Sequence, residues 1–296
     1  MPSPSPTCDW IRAEIEAFMA GPDNDLHMPG GPEPAFGPPL VGFAAGSDAL
    51  WTDYKGHVGE FHWTPLEAFR QGFPGEDPDP AELTVVSWVL PQTAATRKDH
   101  RQQKEFPAER WARARIMGEK YVNEGLRRRM VEVLARAGTQ AVAPVLLPEW
   151  SRMDSEKYVF ASKWSERHAA YAAGLGTFGL CDGLITPVGK SMRVGSVVVR
   201  AALPATARPY SSHREYCLFF NSGTCGKCIE RCPTQALSRD GHDKRRCKAY
   251  VRGVTKPYVL EHFHFEGYGC GFCQVGVPCE RGIPPRPRPG DGKPAA

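Results

Sequence analysis

The stretch TCGKCIERCPTQAL (residues 224–237) carries Cys225, Cys228 and Cys232 in the spacing C-x2-C-x3-C-P, and eight of the chain's ten cysteines fall between residues 217 and 279. Thiols gathered in this way, in a chain that opens without a secretory signal, point to metal binding rather than to a disulfide framework. The spacing matches the last three positions of the bacterial iron–sulfur run C-x2-C-x2-C-x3-C-P. Ser222 stands at the first position. The nearest upstream thiol is Cys217 in YCLFFNSGTCG, where an Asn-Ser-Gly turn can bring it back to the same cluster. In two-cluster proteins the cysteine before proline ligates the neighbouring cluster, so Cys232 looks downstream. Two [4Fe-4S] clusters are expected, one on Cys217, Cys225, Cys228 and Cys279 and the other on Cys232, Cys247, Cys270 and Cys273. Paired zinc sites are the alternative for two C-x2-C pairs, but zinc does not call for the Cys-Pro ending. Cys8 and Cys181 remain as free thiols.

The elements that must position these thiols can be read from periodicity. Residues 1–8 read as a Pro/Ser leader, DWIRAEIEAFM as a short amphipathic helix, and the Gly/Pro-rich residues 21–39 as an extended or lid-like segment. ELTVVSWVL (82–90), TQAVAPVLL (139–147) and RVGSVVVRAAL (193–203) read as strands. Between the first two, residues 110–137 read as one long helix with Met117, Tyr121, Val122, Leu126, Met130, Val133 and Leu134 on a single stripe. The first two-thirds is therefore α/β or α+β. Residues 1–205 form the expected cofactor and substrate domain, 206–283 the cluster domain, and 284–296, rich in Pro and Gly, a disordered tail; its PxxP spacing could bind an SH3-like module, but a solvated linker end is the plainer reading.

With 24% charged residues, 41% hydrophobic residues and a formal charge of +4 over 296 residues, the composition is that of a soluble globular protein. The runs Arg127-Arg128-Arg129 and Lys244-Arg245-Arg246 are short enough to be solvated helix faces, so no nucleic-acid partner is expected. No apolar run approaches the ~20 residues of a membrane span. A cytoplasmic location without a membrane partner follows as the expectation.

GLGTFG (174–179) spells the dinucleotide fingerprint G-x-G-x-x-G, but SERHAAYAAG ahead of it is Ala-rich and helical in pattern. Gly174 therefore sits where a helix ends rather than where one begins, and the dinucleotide reading fails.

A C-terminal two-cluster module with a lone cysteine between its runs, together with AAGLGTFGLCDGLITPVGKSMRVGSVVV (172–199), resembles the epoxyqueuosine reductases and the reductive dehalogenases. The resemblance covers roughly the C-terminal half of the chain. It implies an α+β protein, a nitroreductase-like α/β domain followed by a two-cluster ferredoxin-like domain. It also implies cobalamin, covered by Gly174, Leu175, Gly176, Gly179, Arg193, Gly195 and Ser196 without a protein histidine on cobalt. DGHDKR (240–245) only approaches a cobalt-ligating pattern.

Three departures limit what carries over. The proton-donating Asp that the resemblance implies before the AGLG helix is absent from VFASKWSERH (159–168). Tyr158, Lys163, Glu166 and His168 are the candidate donors in its place, each with a plainer reading as a solvated or packing residue. The tRNA-holding helical extension and the twin-arginine signal are also absent, so neither a tRNA substrate nor export is expected. His262 and His264 stand close enough in sequence to the thiols to tune a cluster without ligating it. The expectation is a cytoplasmic iron–sulfur reductase, dependent on cobalamin, that acts on an unknown small molecule with electrons from a soluble donor such as ferredoxin or flavodoxin. The alternatives are an electron-transfer protein without corrinoid and a corrinoid-reducing or processing protein.

Overall fold

Thr7 accepts the Trp10 amide at 3.2 Å and so starts α1 (Cys8–Ala20) in the computed structural model, which describes residues 6–286. Ile11, Ile15 and Met19 fall on one face of α1 and are buried. The leader expected over residues 1–8 thus gives way to the cap and helix at Thr7 and Cys8, and residues 1–5 lie outside the described residues. After an irregular stretch come β1 (Leu40–Ala45), α2 (Leu50–Val58) and α3 (Pro65–Gly72). A reciprocal capping box between Thr64 and Glu67 opens α3.

The sheet is organised by β2 (Thr84–Pro91), in which every residue is buried. Its side chains alternate between two cores. Val86, Trp88 and Leu90 pack with α1 residues on one face, and Val85 and Val89 pack with α2 and α3 residues on the other. A strand covered on both faces reads as a continuous apolar run, which is why the sequence declared it so clearly. Each fully buried Val or Leu here contributes about 1.5–3 kcal/mol.

Beyond β2 come α4 (Ala94–Gln102), α5 (Glu109–Met117) and α6 (Glu124–Arg136), the last two joined by a π-helical turn over Gly118–Asn123. The single stripe expected over residues 110–137 is broken by this turn. Val122 and Leu126 remain in the core while Tyr121 swings out to 45% exposure. The strand expected over 139–147 shrinks to β3 (Ala141–Val142), because Pro144 opens a 3₁₀ turn instead.

The hairpin β4 (Arg152–Ser155) and β5 (Val159–Ser162), helix α7 (Glu166–Ala172), the hairpin β6 (Thr177–Phe178) and β7 (Leu184–Ile185), and β8 (Met192–Val199) complete this half. The main sheet runs β1-β2-β8-β3 and is antiparallel throughout. The architecture is therefore α+β, not a parallel α/β sheet. Gly174, with φ +78°, ends the α7 segment and leads into a hairpin, as expected from the sequence.

The C-terminal part is made of short pieces. These are α8 (Leu218–Ser222), α9 (Lys227–Glu230), the hairpin β9 (Leu237–Ser238) and β10 (Gly241–His242), α10 (Lys244–Tyr250) and α11 (Lys256–Phe263). Of the expected tail, residues 287–296 lie outside the described residues. Its first residues are held in place: Pro284 is buried and Arg286 pairs with Glu215 at 2.9 Å.

Candidate metal centre

Cys217, Cys225, Cys228 and Cys279 line one cavity together with Leu180, Ile185 and Lys190. Cys217 caps α8, Cys225 and Cys228 bracket the start of α9, and Cys279 arrives from the far end of the chain. Ser222 is not part of the lining; its hydroxyl bonds Leu218 O at 2.9 Å and Thr224 Oγ1 at 2.8 Å. Burial pushes the Cys228 thiol up to about 12 and raises Cys279 as well. The protein alone thus disfavours thiolates here, whereas a bound metal deprotonates its thiols outright. The donor set suits iron–sulfur ligation.

Cys232 ends α9's turn, Cys247 lies in α10, and Cys270 and Cys273 flank Phe272. Cys270 is pushed up to about 12 by burial and then by the nearby Cys247 and Cys232. Cys232 behaves differently. Burial raises it, but hydrogen bonds around its sulfur, including the Ala236 amide at 3.2 Å, prevail and lower it. Among the described residues no three His, Cys, Asp or Glu side chains converge tightly enough for a single ion.

The loop that carries Cys270 and Cys273 is pinned to the N-terminal half. His100 of α4 stacks between Trp111 of α5 and Phe272, at ring separations of 4.3 and 4.6 Å. Its imidazole is pushed down to about 3 by burial, so it stays neutral in the stack. Gly271 has φ +70°, and a Cβ there would drive into the Trp111 indole. Nearby, Glu280 is 5% exposed and receives Arg101 at 2.5 Å and the Gly276 amide at 2.7 Å.

The segment after Cys273 is docked a second time. Lys190 N–H bonds Cys279 O at 3.0 Å, and Ser191 N–H bonds Glu280 O at 3.3 Å. Gly189 (φ +88°) allows this approach, since a Cβ would collide with the Glu280 backbone. Lys190 itself is 3% exposed, and its ammonium lies 3.3 Å from Cys181 Sγ. The hydrogen bond from Cys273 and the Lys190 charge hold the Cys181 thiol well below its ordinary value. Sequence reasoning left Cys181 as an idle thiol and passed over Lys190. Nothing local in GLCDGL or PVGKS marks either one; only the fold brings them between the thiol sets.

The expected proton donors are not brought together. Glu166 and His168 are two residues apart on α7 and leave it on different sides. Glu166 is not a solvated helix start. It pairs with Arg127 at 3.0 Å, accepts the Ser196 hydroxyl, and is raised by burial despite the Arg127 charge. Arg127, 2% exposed, also pairs with Glu119 at 3.0 Å. His168 packs against Tyr54, His62 and Phe178, with Nδ1 2.8 Å from Ser165 Oγ. Tyr158 lies at the β4–β5 turn beneath the Lys244 ammonium, and Lys163 bonds Glu149 O at 2.9 Å. His262 and His264 are exposed, and His262 stacks on Tyr258. His242 lies nearer the thiols: it bonds Asp182 at 3.0 Å, and although burial lowers it, Asp182 and the neighbouring Cys247 raise it to about 9.

The residues expected around cobalamin are largely engaged with the protein. A Cβ on Gly174 would lie 2.6 Å from Ala207 O, one on Gly176 would strike Ile185 O, and one on Gly195 would meet Trp88 and Asn123. Gly179 sits against Ile185, Leu175 is 5% exposed, and Ser196 accepts Trp164 Nε1 at 3.0 Å. Arg193 is the exception. Its Nε is buried without a partner, and burial followed by the Arg115 charge lowers the guanidinium to about 9. Of this set, only Arg193 offers a group to a ligand.

Residues 221–278 match the family 4Fe-4S double cluster binding domain. The chain is similar to an epoxyqueuosine reductase of Bacillus anthracis, 27% identical over 157 residues, covering 51% of this chain and 39% of that one. It is also similar to that of Xanthomonas campestris pv. campestris, 27% identical over 230 residues, covering 76% and 59%. The matches thus span less than two-thirds of either relative's length. Among solved structures, an epoxyqueuosine reductase with a tRNA-Tyr epoxyqueuosine-modified stem loop aligns at TM-score 0.44 and 18% identity, covering 83% of this chain and 62% of that one. A reductive dehalogenase described for B12-dependent dehalogenation aligns at 0.48 and 14%, covering 82% and 30%. In the described residues no helix is long and apolar enough to cross a membrane. With its paired thiol sets and its sequence matches, the chain is distantly similar to the epoxyqueuosine reductases over part of their length, and residues 221–278 match a 4Fe-4S double cluster binding domain.

Proposed function

We propose that this chain is an iron–sulfur oxidoreductase that holds one [4Fe-4S] cluster on Cys217, Cys225, Cys228 and Cys279 and a second on Cys232, Cys247, Cys270 and Cys273, and that it reduces a small molecule. The observation that carries this reading is the convergence of the first four thiols on one cavity from segments far apart in sequence. Bound clusters of this type supply one-electron carriers in series. The chain's own part is to bury the thiols, direct the Ala236 amide at the Cys232 sulfur and hold the Cys270–Cys273 loop in the His100 stack. Hydrogen bonds to sulfur and the degree of burial set the potentials. A soluble ferredoxin or flavodoxin is the electron source this reading calls for.

Cobalamin as the terminal cofactor is the finer part of the proposal. The unpartnered Arg193 Nε supports it. The glycines expected to make room do not, because their missing side chains already accommodate protein atoms. The thiol sets support chemistry through the clusters; these residues do not support a step through a corrinoid.

The test is anaerobic reconstitution followed by iron and sulfide analysis, with about eight of each expected per chain. About four would overturn the second cluster. Gel filtration after mixing with cobalamin then separates the finer readings: co-elution near one corrinoid per chain supports a corrinoid reductase, and a brown protein without corrinoid supports an electron-transfer protein. An epoxyqueuosine-bearing tRNA stem loop, the ligand of the solved relative, is the macromolecular substrate to test against the small-molecule reading.

A further inference from the structure

Lys190 is a buried cation placed between the two thiol sets. Its ammonium contacts Cys181 Sγ at 3.3 Å, and the thiols that act on its charge include Cys279 and Cys228 of the first set and Cys273 of the second. Lys190 also lines the cavity of the first set. Its position is fixed by the backbone rather than by its own flexible stem. The Thr186–Gly189 turn is closed by Gly189 N–H to Thr186 O at 2.8 Å, and the next amide is bonded to Cys279 O. A lysine at 3% exposure carries a heavy desolvation penalty unless negative charge surrounds it. Neither Asp nor Glu pairs with Lys190 among the described residues; sulfur is its only side-chain partner there.

Resting on the two-cluster reading above, we propose that Lys190 is the charge that sets the reduction potentials of both clusters. A cluster gains one negative charge on one-electron reduction, and a fixed cation at close range in a dry site favours that reduced form. One ammonium between the sets raises both potentials together. A purely structural lysine would hold the Cys279 segment in place and leave both potentials alone.

The experiment compares the reconstituted full chain with its Lys190→Met, Lys190→Gln and Lys190→Arg variants by iron content and by redox titration followed by electron paramagnetic resonance. The expected result is unchanged iron in all four, lower midpoint potentials for both clusters in the Met and Gln variants, and near-wild-type potentials in the Arg variant. Unchanged midpoints in an iron-replete neutral variant overturn the proposal, and so does iron loss from all three variants alike. Iron loss confined to the two neutral variants shows the same dependence on charge at the stage of cluster assembly and supports it. A wild-type chain that takes up no clusters defeats the proposed function itself, an outcome distinct from any of these.

Discussion

Replacing Arg127 with Met removes the cation that pairs with Glu166 while nearly keeping the volume of the side chain. Arg127 is 2% exposed and pairs with both Glu119 and Glu166 at 3.0 Å, and it also bonds Val194 O at 3.2 Å. Glu119 keeps 30% of its side chain in solvent, so losing its partner costs little; Glu166 keeps 15% and is left with the Ser196 hydroxyl. A buried carboxylate stripped of its partner destabilises a fold by about 3–5 kcal/mol. Taking up a proton instead costs about 1.4 × (7.0 − 4.3), or about 4 kcal/mol, near pH 7, and only about 1 kcal/mol near pH 5. The two routes agree at neutral pH. The sign follows from the raised pKa: the variant's Glu166 binds its proton more tightly folded than unfolded, so the deficit grows as pH rises and is relieved as pH falls toward about 4. Urea unfolding of the anaerobic holoprotein, followed by tryptophan fluorescence, should show a loss of about 3–4 kcal/mol near pH 7 that shrinks to about 1–2 kcal/mol near pH 5. Adding Glu166→Gln should recover most of it. A loss that does not depend on pH, or one below about 1 kcal/mol near pH 7, would refute the pairing argument.

Cys217→Ser should lower iron from about eight to about four per chain, whereas Ser222→Ala should leave it unchanged; the reverse pattern would make Ser222 the ligand. Gly189→Ala should also lose iron from the first set, because the new methyl group meets the Glu280 backbone and lifts Cys279 away; full iron in this variant would show that the docking is dispensable. Burial holds both His62 and His168 below their ordinary values, so the unfolded chain binds protons that the folded one does not. Stability should therefore fall by about 1.4 kcal/mol per pH unit for each histidine as pH drops below about 6.5. His62→Gln should flatten that slope by one histidine's share, and an unchanged slope would assign acid sensitivity elsewhere.

What the sequence revealed, it revealed through local order. The β2 strand is a nearly continuous apolar run buried on both faces, β8 carries the valine run Val197–Val199, α1 repeats its apolar residues at helical spacing, and the Cys225–Cys228–Cys232 spacing fixes the cluster reading at short range. The features that stayed hidden depend on distant partners. Glu166 reads as a helix-start carboxylate until the fold brings Arg127 against it, and nothing marks Lys190 until Cys279 arrives. The π-helical turn at Gly118–Asn123 is similarly silent. It is held by tertiary bonds from Asn123, which accepts Trp88 Nε1 at 2.9 Å and donates to Val194 O at 3.0 Å.

The late position of Cys279 governs how the protein can be built in time. The thiols at Cys217, Cys225 and Cys228 are synthesised well before it, and the turn residues that seat Lys190 earlier still. During synthesis N-terminal units fold first. On the proposed two-cluster reading, the receiving wall therefore stands before the last thiol leaves the ribosome, and delivered iron would meet a three-sided vessel that the Cys279 segment closes. A nascent chain stalled before residue 279 would present three sulfurs and an open face, a ready acceptor for transfer from an assembly scaffold and an equally ready target for oxygen.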